Sequence, residues 1–401
     1  MKILIVNKFL YPKGGAETYT LKIGEELKKR GNEVQYFGMY DKKNTVGNKL
    51  NLYTRNMNFH SKRISRVLYP FKIIYSFEAK RKMKRIIKDL EPDIIHLNNI
   101  NFQLTPSIID IAYKMKIPIV QTVHDYQMIC PNHFLYNWKE KCICEKCIKG
   151  SKWNCAKYNC IHNSKLKSII GSLEGILYSK ILKTYSKVSL YICPSKFLEE
   201  KLLESDIYKG KTATLCNFIE LNKNYKVSQK DDYILYFGRL SEEKGLLELL
   251  ETMQKLPNIK LKIAGTGPLE NIIKTEGNIE YVGFKTGEEL KDLISKAKFA
   301  IYPSVWYENC PLSILEAESY GTPVITGNYG GMKELVENGK TGILVNEINS
   351  NTLKNIMEKL YNNNKKIEEM SQNCIAKRNK MLTMEQYVEE LMKLYEKINK
   401  K

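Results

Sequence analysis

Two features that would place a chain in or across a membrane are missing from this sequence. It has no run of about 18 apolar residues, so a membrane-spanning helix is not expected. The apolar part of the opening MKILIVNK is too short for a signal peptide and predicts a first buried strand, so we expect a cytoplasmic chain. A low-complexity tract is also missing, and so is any long internal repeat beyond the similarity of the two predicted domains.

What is present is the composition of a globular protein. The 401 residues are 43% hydrophobic and 27% charged, and they suffice for two domains of roughly 200 residues each. Strand-like and helical patterns alternate throughout, which predicts parallel α/β domains. The predicted strands lie near 2–6, 33–37, 93–97, 118–122, 189–193, 212–216, 233–237, 259–264, 279–282, 298–302, 323–326 and 342–345. The predicted domains are 1–216 and 233–380, joined by a polar linker at 217–232 and followed by a helix at 381–401.

Residues 304–325 place two glutamates around the start of a predicted helix. Pro311 suits the first helical position and Gly321 the C-terminal cap, so Glu308 precedes the helix and Glu316 lies one turn inside it. Free N–H groups at a helix start favour an anion, whereas carboxylates accept hydrogen bonds from hydroxyls. The pattern therefore predicts a nucleotide-sugar site. The alternative is a solvated helix with ordinary surface acids.

Two further strand ends combine glycine with basic residues. The strand YILYF runs into Gly238 and Arg239, with Lys244 and Gly245 following, and the strand KLKIA ends at Gly265. Two cations after a strand suit a diphosphate, because arginine can bind two oxygens at once. Each glycine alone is ordinary turn chemistry. In this order, the motifs favour a phosphate-binding domain.

The order of these motifs resembles glycosyltransferase family 4 over essentially the whole chain. The other matching segments are the glycine-rich loop with Gly14 and Gly15, the strand-end pair His124–Asp125, and residues 330–334 and 338–342. The resemblance implies an α/β GT-B fold, in which two Rossmann-like domains with parallel sheets face each other across a cleft. It also implies an acceptor-side N-terminal domain, a donor-binding C-terminal domain and a last helix that crosses back to the first domain.

The resemblance further implies a reaction. A sugar would pass, with retention of anomeric configuration, from a nucleotide diphosphate sugar such as a UDP-sugar to a glycan or lipid-linked glycan in cell-surface polysaccharide assembly. No cofactor would be required for catalysis. The residues assigned to catalysis are Glu308, His124, Arg239 and Lys244. Those assigned to substrate binding are Gly14, Gly15, Gly238, Gly265, Asn309, Cys310, Leu312 and Glu316.

Roles follow for several of these residues. Arg239 and Lys244 would neutralise the diphosphate, Glu316 would bind the ribose, and Glu308 and His124 would contact the donor sugar. Retention is expected by front-face substitution, since Asp125 and Glu17 are candidate nucleophiles by position only. Alternatives remain open: a buried, hydrogen-bonding His124, a simple tight turn at the glycine pair 14–15, and surface charges in place of the diphosphate clamp.

Cysteines cluster in one short segment. Six of the ten lie within 31 residues: Cys130, Cys142, Cys144, Cys147, Cys155 and Cys160. A reducing compartment argues against disulfides. The spacing predicts a structural zinc on Cys144, Cys147, Cys155 and Cys160, with Cys130, Cys142, His133 and His162 as alternative ligands. Free or redox-variable thiols are the alternative, and the spacing is not typical of an iron–sulfur cluster.

The net charge of +20 calls for an anionic partner or a solvated basic face. Between His60 and Leu90 there are ten Lys and Arg residues (62, 63, 66, 72, 80, 81, 82, 84, 85 and 88) against two acids (78 and 89), with aromatic and aliphatic residues among them. This mixture suits peripheral contact with the inner face of an anionic cell membrane. No nucleic-acid partner is expected, although a zinc-knuckle nucleic-acid-binding protein remains an alternative. Another GT-B activity, a sugar-nucleotide epimerase or a phosphorylase, also remains open.

Overall fold

The structure is a computed structural model, and it describes residues 1–56, 69–220, 229–273, 275 and 277–399. The chain divides into two compact units: unit 1 comprises Met1–Cys216 and Met384–Lys401, and unit 2 comprises Asn217–Thr383. Of the predicted linker, residues 221–228 lie outside the described residues. The same holds for residues 57–68, which include the first part of the basic segment.

The core of unit 1 is a parallel sheet. The described strands of unit 1 are β1 (Lys2–Val6), β2 (Glu33–Phe37), β3 (Ile94–Leu97), β4 (Ile119–Thr122), the hairpin strands β5 (Tyr136–Asn137) and β6 (Cys142–Ile143), β7 (Leu190–Cys193) and β8 (Thr212–Thr214). The sheet has the order β2-β1-β3-β4-β7-β8, with every pair parallel, and β5 pairs with β6 alone. Strands β3, β4 and β7 are buried throughout, which explains why their sequences are continuous rather than alternating apolar runs.

The described part of unit 1 also contains helices. They are α1 (Gly15–Lys29), α2 (Tyr69–Ile74), α3 (Phe77–Leu90), α4 (Ser107–Lys114), α5 (Asn154–Lys157), α6 (Lys165–Ile176) and α7 (Lys196–Leu203). Serines 76, 164 and 195 cap α3, α6 and α7 by accepting a hydrogen bond from the N–H three residues ahead. Helix α3 buries its apolar face, and Arg81, Lys84, Arg85 and Lys88 on its basic face are exposed.

Unit 2 repeats the architecture. Its described strands are β9 (Ile234–Phe237), β10 (Leu261–Ala264), β11 (Ile279–Gly283), β12 (Ala300–Tyr302), β13 (Val324–Gly327) and β14 (Gly342–Val345), in the parallel order β11-β10-β9-β12-β13-β14. Its helices are α8 (Leu246–Gln254), α9 (Gly287–Lys296), α10 (Leu312–Ser319), α11 (Met332–Leu335), α12 (Ser350–Tyr361) and α13 (Asn364–Arg378). The strand order places the carboxyl ends of β10, β9 and β12 side by side.

The last helix belongs to unit 1 although it follows unit 2 in the chain. Helix α14 (Met384–Asn399) lies against α1 and buries Tyr387, Val388, Leu391 and Tyr395. Unit 1 is therefore completed by residues that follow all of unit 2 in the chain.

The predicted α/β class with parallel sheets is confirmed, and each of the twelve predicted strands corresponds to an observed one. The hairpin β5–β6 inside the cysteine-rich segment was not predicted, because its strands have only two residues each. Among the helices that the structure describes, none has both the length and the apolar character needed to cross a bilayer.

A buried carboxyl on α6 gives unit 1 a measurable pH dependence. Glu174 is 2% exposed, and burial raises its pKa to about 8. Because this pKa lies above that of the unfolded chain, the folded state is favoured when Glu174 is protonated. The contribution of Glu174 to the free energy of unfolding is fully present below about pH 4.5 and is lost as the pH rises through 8.

Glu174→Gln should therefore unfold less readily than wild type at pH 9, by about 2–4 kcal/mol more than any difference at pH 5. Urea unfolding at the two pH values tests this. Glu25→Gln, on an exposed residue of α1, is the control and should show no such pH-dependent gain. An equal effect of Glu174→Gln at both pH values would contradict the assignment.

Candidate functional site

Glycines let the carboxyl ends of the unit 2 strands approach closely. Gly238 follows β9 and Gly265 follows β10, with φ values of 141° and 143°. A Cβ on Gly265 would lie 1.8 Å from the carbonyl oxygen of Gly238, and a Cβ on Gly245 would lie 1.8 Å from that of Pro303. Side chains are therefore excluded from these contacts, and backbone forms this edge of the sheet.

An ion pair joins the turn after β9 to the loop after β12. Lys244 Nζ lies 2.5 Å from Glu308 Oε1 and 2.8 Å from the Tyr302 hydroxyl. Burial lowers the pKa of Lys244, but the attraction of Glu308 and Tyr302 outweighs it and holds the pKa above its ordinary value. Lys244 is therefore charged, and its charge is already compensated by Glu308.

Glu308 is 6% exposed, and one of its oxygens carries all of its hydrogen bonds. Besides Lys244, Ser304 Oγ and Trp306 Nε1 donate to Oε1, each at 2.8 Å. Oε2 has no hydrogen-bond partner within the part of the chain that the structure describes, so it remains able to accept from a ligand hydroxyl.

The backbone of Glu308 is fixed as well. Gly331 N–H donates to the Glu308 carbonyl at 2.7 Å, and a Cβ on Gly330 would lie 2.7 Å from the same oxygen. The glycine pair in the motif 330–334 thus holds the loop that carries Glu308. Sequence reasoning did not identify Tyr302, Ser304 and Trp306 as supports of this carboxylate, although all three lie within six residues of it.

Arg239 directly follows Gly238 and is exposed. Across the described residues, its guanidinium makes no ion pair and no hydrogen bond, in contrast to Lys244. The first residue after the glycine of β9 therefore offers an uncompensated positive charge that can bind two anionic oxygens.

Helix α10 begins one residue later than predicted. Pro311 is the N-cap and Leu312 the first helical residue, so Glu316 is the fifth. Cys310 is buried, Asn309, Leu312 and Glu316 are half-buried, and Gly321 has φ 67°, as expected of a residue that ends a helix. Asn217 Nδ2 donates to the Cys310 carbonyl at 3.1 Å and fixes this end of the loop.

In unit 1, His124 follows β4 and its Nε2 lies 2.9 Å from Asn98 Oδ1. Burial lowers its pKa to about 4, so the ring is neutral near pH 7 and Nε2 carries the proton that Asn98 accepts. Nδ1 is then the acceptor nitrogen of the ring. Asn98, which sequence reasoning missed, thus sets the tautomer.

Asp125 and the glycine pair lie in the same unit. Asp125 Oδ2 is 3.2 Å from His133 Nδ1, and Oδ1 accepts from the Gln127 N–H at 2.9 Å. Burial alone would raise the pKa of Asp125, but these partners lower it to about 2. Gly14 is the N-cap of α1 and offers no side chain, and both Gly14 and Gly15 are exposed.

The structure gathers only part of the predicted zinc set. Cys147, Cys155 and Cys160 form a buried cluster with Tyr158 and Ile161. Cys144 is half-exposed beside the hairpin, while Cys130 and Cys142 are buried and exposed respectively. Over the described ranges, no three His, Cys, Asp or Glu side chains are arranged to hold a metal ion. A zinc ion on Cys144, Cys147, Cys155 and Cys160 therefore stays a prediction that this arrangement does not support.

Comparison with known proteins identifies both units. The profile of Glycosyltransferase Family 4 matches residues 13–223, more than half of the chain, and that of Glycosyl transferases group 1 matches residues 217–377. An uncharacterised 42.6 kDa protein of the Klebsiella pneumoniae cps region is 26% identical over 355 residues, covering 84% of this chain and 87% of that one.

Solved structures share the fold over nearly the full length. Sucrose-phosphate synthase from Thermosynechococcus elongatus has a TM-score of 0.73 at 18% identity, covering 99% of both chains. Anabaena Alr3699/HepE in complex with UDP has a TM-score of 0.70 at 17% identity, covering 99% of this chain and 100% of that one. The fold is thus that of GT-B glycosyltransferases.

The two glycines with nearly equal φ provide a matched pair for a stability test. Gly265→Ala and Gly238→Ala impose the same backbone strain, but an added Cβ meets nothing within 4 Å at Gly238 and a carbonyl oxygen at 1.8 Å at Gly265. Gly265→Ala should therefore lower the free energy of unfolding by about 2 kcal/mol more than Gly238→Ala, in the range of overpacking. Urea unfolding measures both, and equal losses would contradict the close approach.

Proposed function

This chain belongs to glycosyltransferase family 4, and we propose that it transfers a sugar from a nucleotide diphosphate sugar to a glycan or lipid-linked glycan with retention of anomeric configuration. One observation in unit 2 carries the proposal. The strands β9 and β12 are neighbours in the sheet. The loop after β9 carries an uncompensated cation, Arg239, and the loop after β12 carries a buried carboxylate, Glu308, that keeps one oxygen for a ligand. A diphosphate joined to a polyhydroxyl sugar has the chemistry that both groups recognise.

Arg239 is assigned to the diphosphate as its main cation, and Lys244, whose charge Glu308 already pairs, is assigned to it as a second cation. Negative charge grows on the leaving diphosphate as the bond to the sugar breaks, so cations fixed beside it stabilise the transition state more than the bound donor. The backbone N–H groups of Cys310 and Leu312 at the start of α10 add to this anion site. The shared fold of Alr3699/HepE, which was solved with UDP, supports UDP as the nucleotide.

Glu308 and Glu316 are assigned to hydroxyl groups. Oε2 of Glu308 accepts from the donor sugar while Oε1 stays with Lys244, Ser304 and Trp306, so the carboxylate is oriented before the donor binds. Glu316 binds the ribose. Gly238 and Gly265 keep the strand ends clear for the nucleotide.

Unit 1 is assigned to the acceptor. Gly14 and Gly15 leave the start of α1 open, and neutral His124 offers Nδ1 as an acceptor for a sugar hydroxyl. Retention is proposed by front-face substitution: the acceptor oxygen forms the new bond on the face from which the diphosphate leaves, and a leaving phosphate oxygen takes the acceptor proton. Asp125 is bonded to His133 and Gln127, which supports a positioning role over a nucleophilic one.

Cell-surface polysaccharide assembly is the proposed setting. The relative from the Klebsiella cps region supports it. The net charge of +20 and the exposed basic face of α3 support peripheral contact with anionic lipid at the inner face of the cell membrane.

Turnover of the donor tests the proposal. Arg239→Ala and Glu316→Ala should each lower UDP release from a UDP-sugar in the presence of acceptor by at least about a hundredfold, because each removes one preorganised contact. Lys359→Ala, on an exposed residue of α12, is the control and should retain wild-type turnover. Near-wild-type rates in both site variants would refute the assignment of the donor to unit 2.

A further inference from the structure

Five buried polar side chains of unit 1 form a chain of hydrogen bonds, called the circuit below, that begins and ends on α14. The Tyr387 hydroxyl lies 2.5 Å from that of Tyr19, which lies 3.1 Å from Thr122 Oγ1. Thr122 Oγ1 lies 2.8 Å from His96 Nε2, and His96 Nδ1 lies 2.6 Å from the Tyr395 hydroxyl. The two ends of this circuit are eight residues apart on the same helix.

The circuit is closed to water. Tyr19 is 3% exposed, Thr122 is 1% exposed, and the other three members are fully buried. Each hydroxyl and ring nitrogen therefore depends on its neighbour, because a buried polar atom without a partner is costly. A neutral imidazole has one nitrogen that donates and one that accepts, so the tautomer of His96 decides which of its two neighbours donates to it and which accepts from it. This choice favours one consistent order of donors and acceptors along the whole circuit.

His124 is held by this circuit from one side. His124 lies two residues after Thr122, the last residue of β4. Tyr19 contacts both: its hydroxyl bonds Thr122, and its ring meets the His124 ring edge-on at 5.0 Å and 76°. The position of the Tyr19 ring therefore limits the rotation of the imidazole.

The neighbouring strand holds His124 from the other side. Asn98 lies just after β3, two residues beyond His96. In the same way, His124 lies just after β4, two residues beyond Thr122. Its Oδ1 accepts the hydrogen bond from His124 Nε2 at 2.9 Å. Both supports of His124 therefore lie on segments that the circuit ties to α14.

We propose that α14 sets the orientation of His124, and so keeps its Nε2 on the Asn98 bond that fixes the tautomer, with Tyr387 and Tyr395 acting as positioning residues through Tyr19 and His96. The part that His124 plays in sugar transfer rests on the proposed function, whereas its dependence on α14 does not. Helix α14 then positions a residue of the unit 1 site in addition to packing against α1. Its contribution comes through two hydroxyls, which can be removed without removing the rings.

Histidine NMR tests this directly, because the chain has only five histidines. With ¹⁵N-labelled histidine, wild-type His124 should show a single neutral tautomer with the proton on Nε2, assigned by its loss in His124→Gln. In Tyr387→Phe and in Tyr395→Phe, the His124 signals should shift or become a mixture of tautomers. Tyr191→Phe is the matched control, since that tyrosine is also buried in unit 1 and its hydroxyl donates to the Tyr185 carbonyl.

Kinetics on the same variants separates the two proposals. Tyr387→Phe should lower kcat about tenfold or more with donor KM within about twofold, while Tyr191→Phe leaves both unchanged. Unchanged His124 signals in both α14 variants would overturn the positioning proposal. Shifted signals with unchanged kcat would uphold the positioning and contradict the role of His124 in transfer.

Discussion

The ion pair between Lys244 and Glu308 is the interaction around which unit 2 is arranged. A buried carboxylate is tolerated only when its charge is paired and hydrogen-bonded, so the turn after β9 and the loop after β12 must meet. That contact is feasible because Gly245 approaches Pro303, and because the pair Gly330–Gly331 holds the backbone of Glu308. With three donors on Oε1, the remaining oxygen is oriented before any ligand binds.

In unit 1, neutral groups rather than an ion pair hold a site side chain in a fixed orientation. His124 lies at a strand end where a free imidazole would rotate, and a hydrogen bond from one side and an aromatic edge from the other fix it. Both ends of the buried circuit behind it lie on α14, which belongs to unit 1 although it follows all of unit 2 in the chain. The order of the chain thus makes the unit 1 site depend on residues from the far end of the sequence.

Local pattern sufficed to predict the strands, because parallel strands are apolar runs, and the residues assigned to the candidate site were chosen because they follow those strands at fixed spacing. The pairing of Lys244 with Glu308 was not predicted, since the two are 64 residues apart and charge alone suggested that each would face a ligand. Likewise, the CxxC spacing favoured Cys144, whereas the structure buries Cys147 with Cys155 and Cys160 and leaves Cys144 half-exposed. Residues that hold site side chains in place, such as Asn98 and Ser304, belong to no motif by which the sequence could have predicted that role.

Nucleotide binding to unit 2 through Arg239 is the central claim, and a thermal-shift panel of UDP, GDP, ADP, CMP and TDP on wild type and Arg239→Ala tests it most directly. A ligand at about 100 times its Kd adds roughly 2.7 kcal/mol of stability, which raises the melting temperature by a few degrees. We expect the melting temperature to rise with UDP and Arg239→Ala to abolish that rise. An undiminished rise in Arg239→Ala, or no rise with any of the five nucleotides, would contradict it.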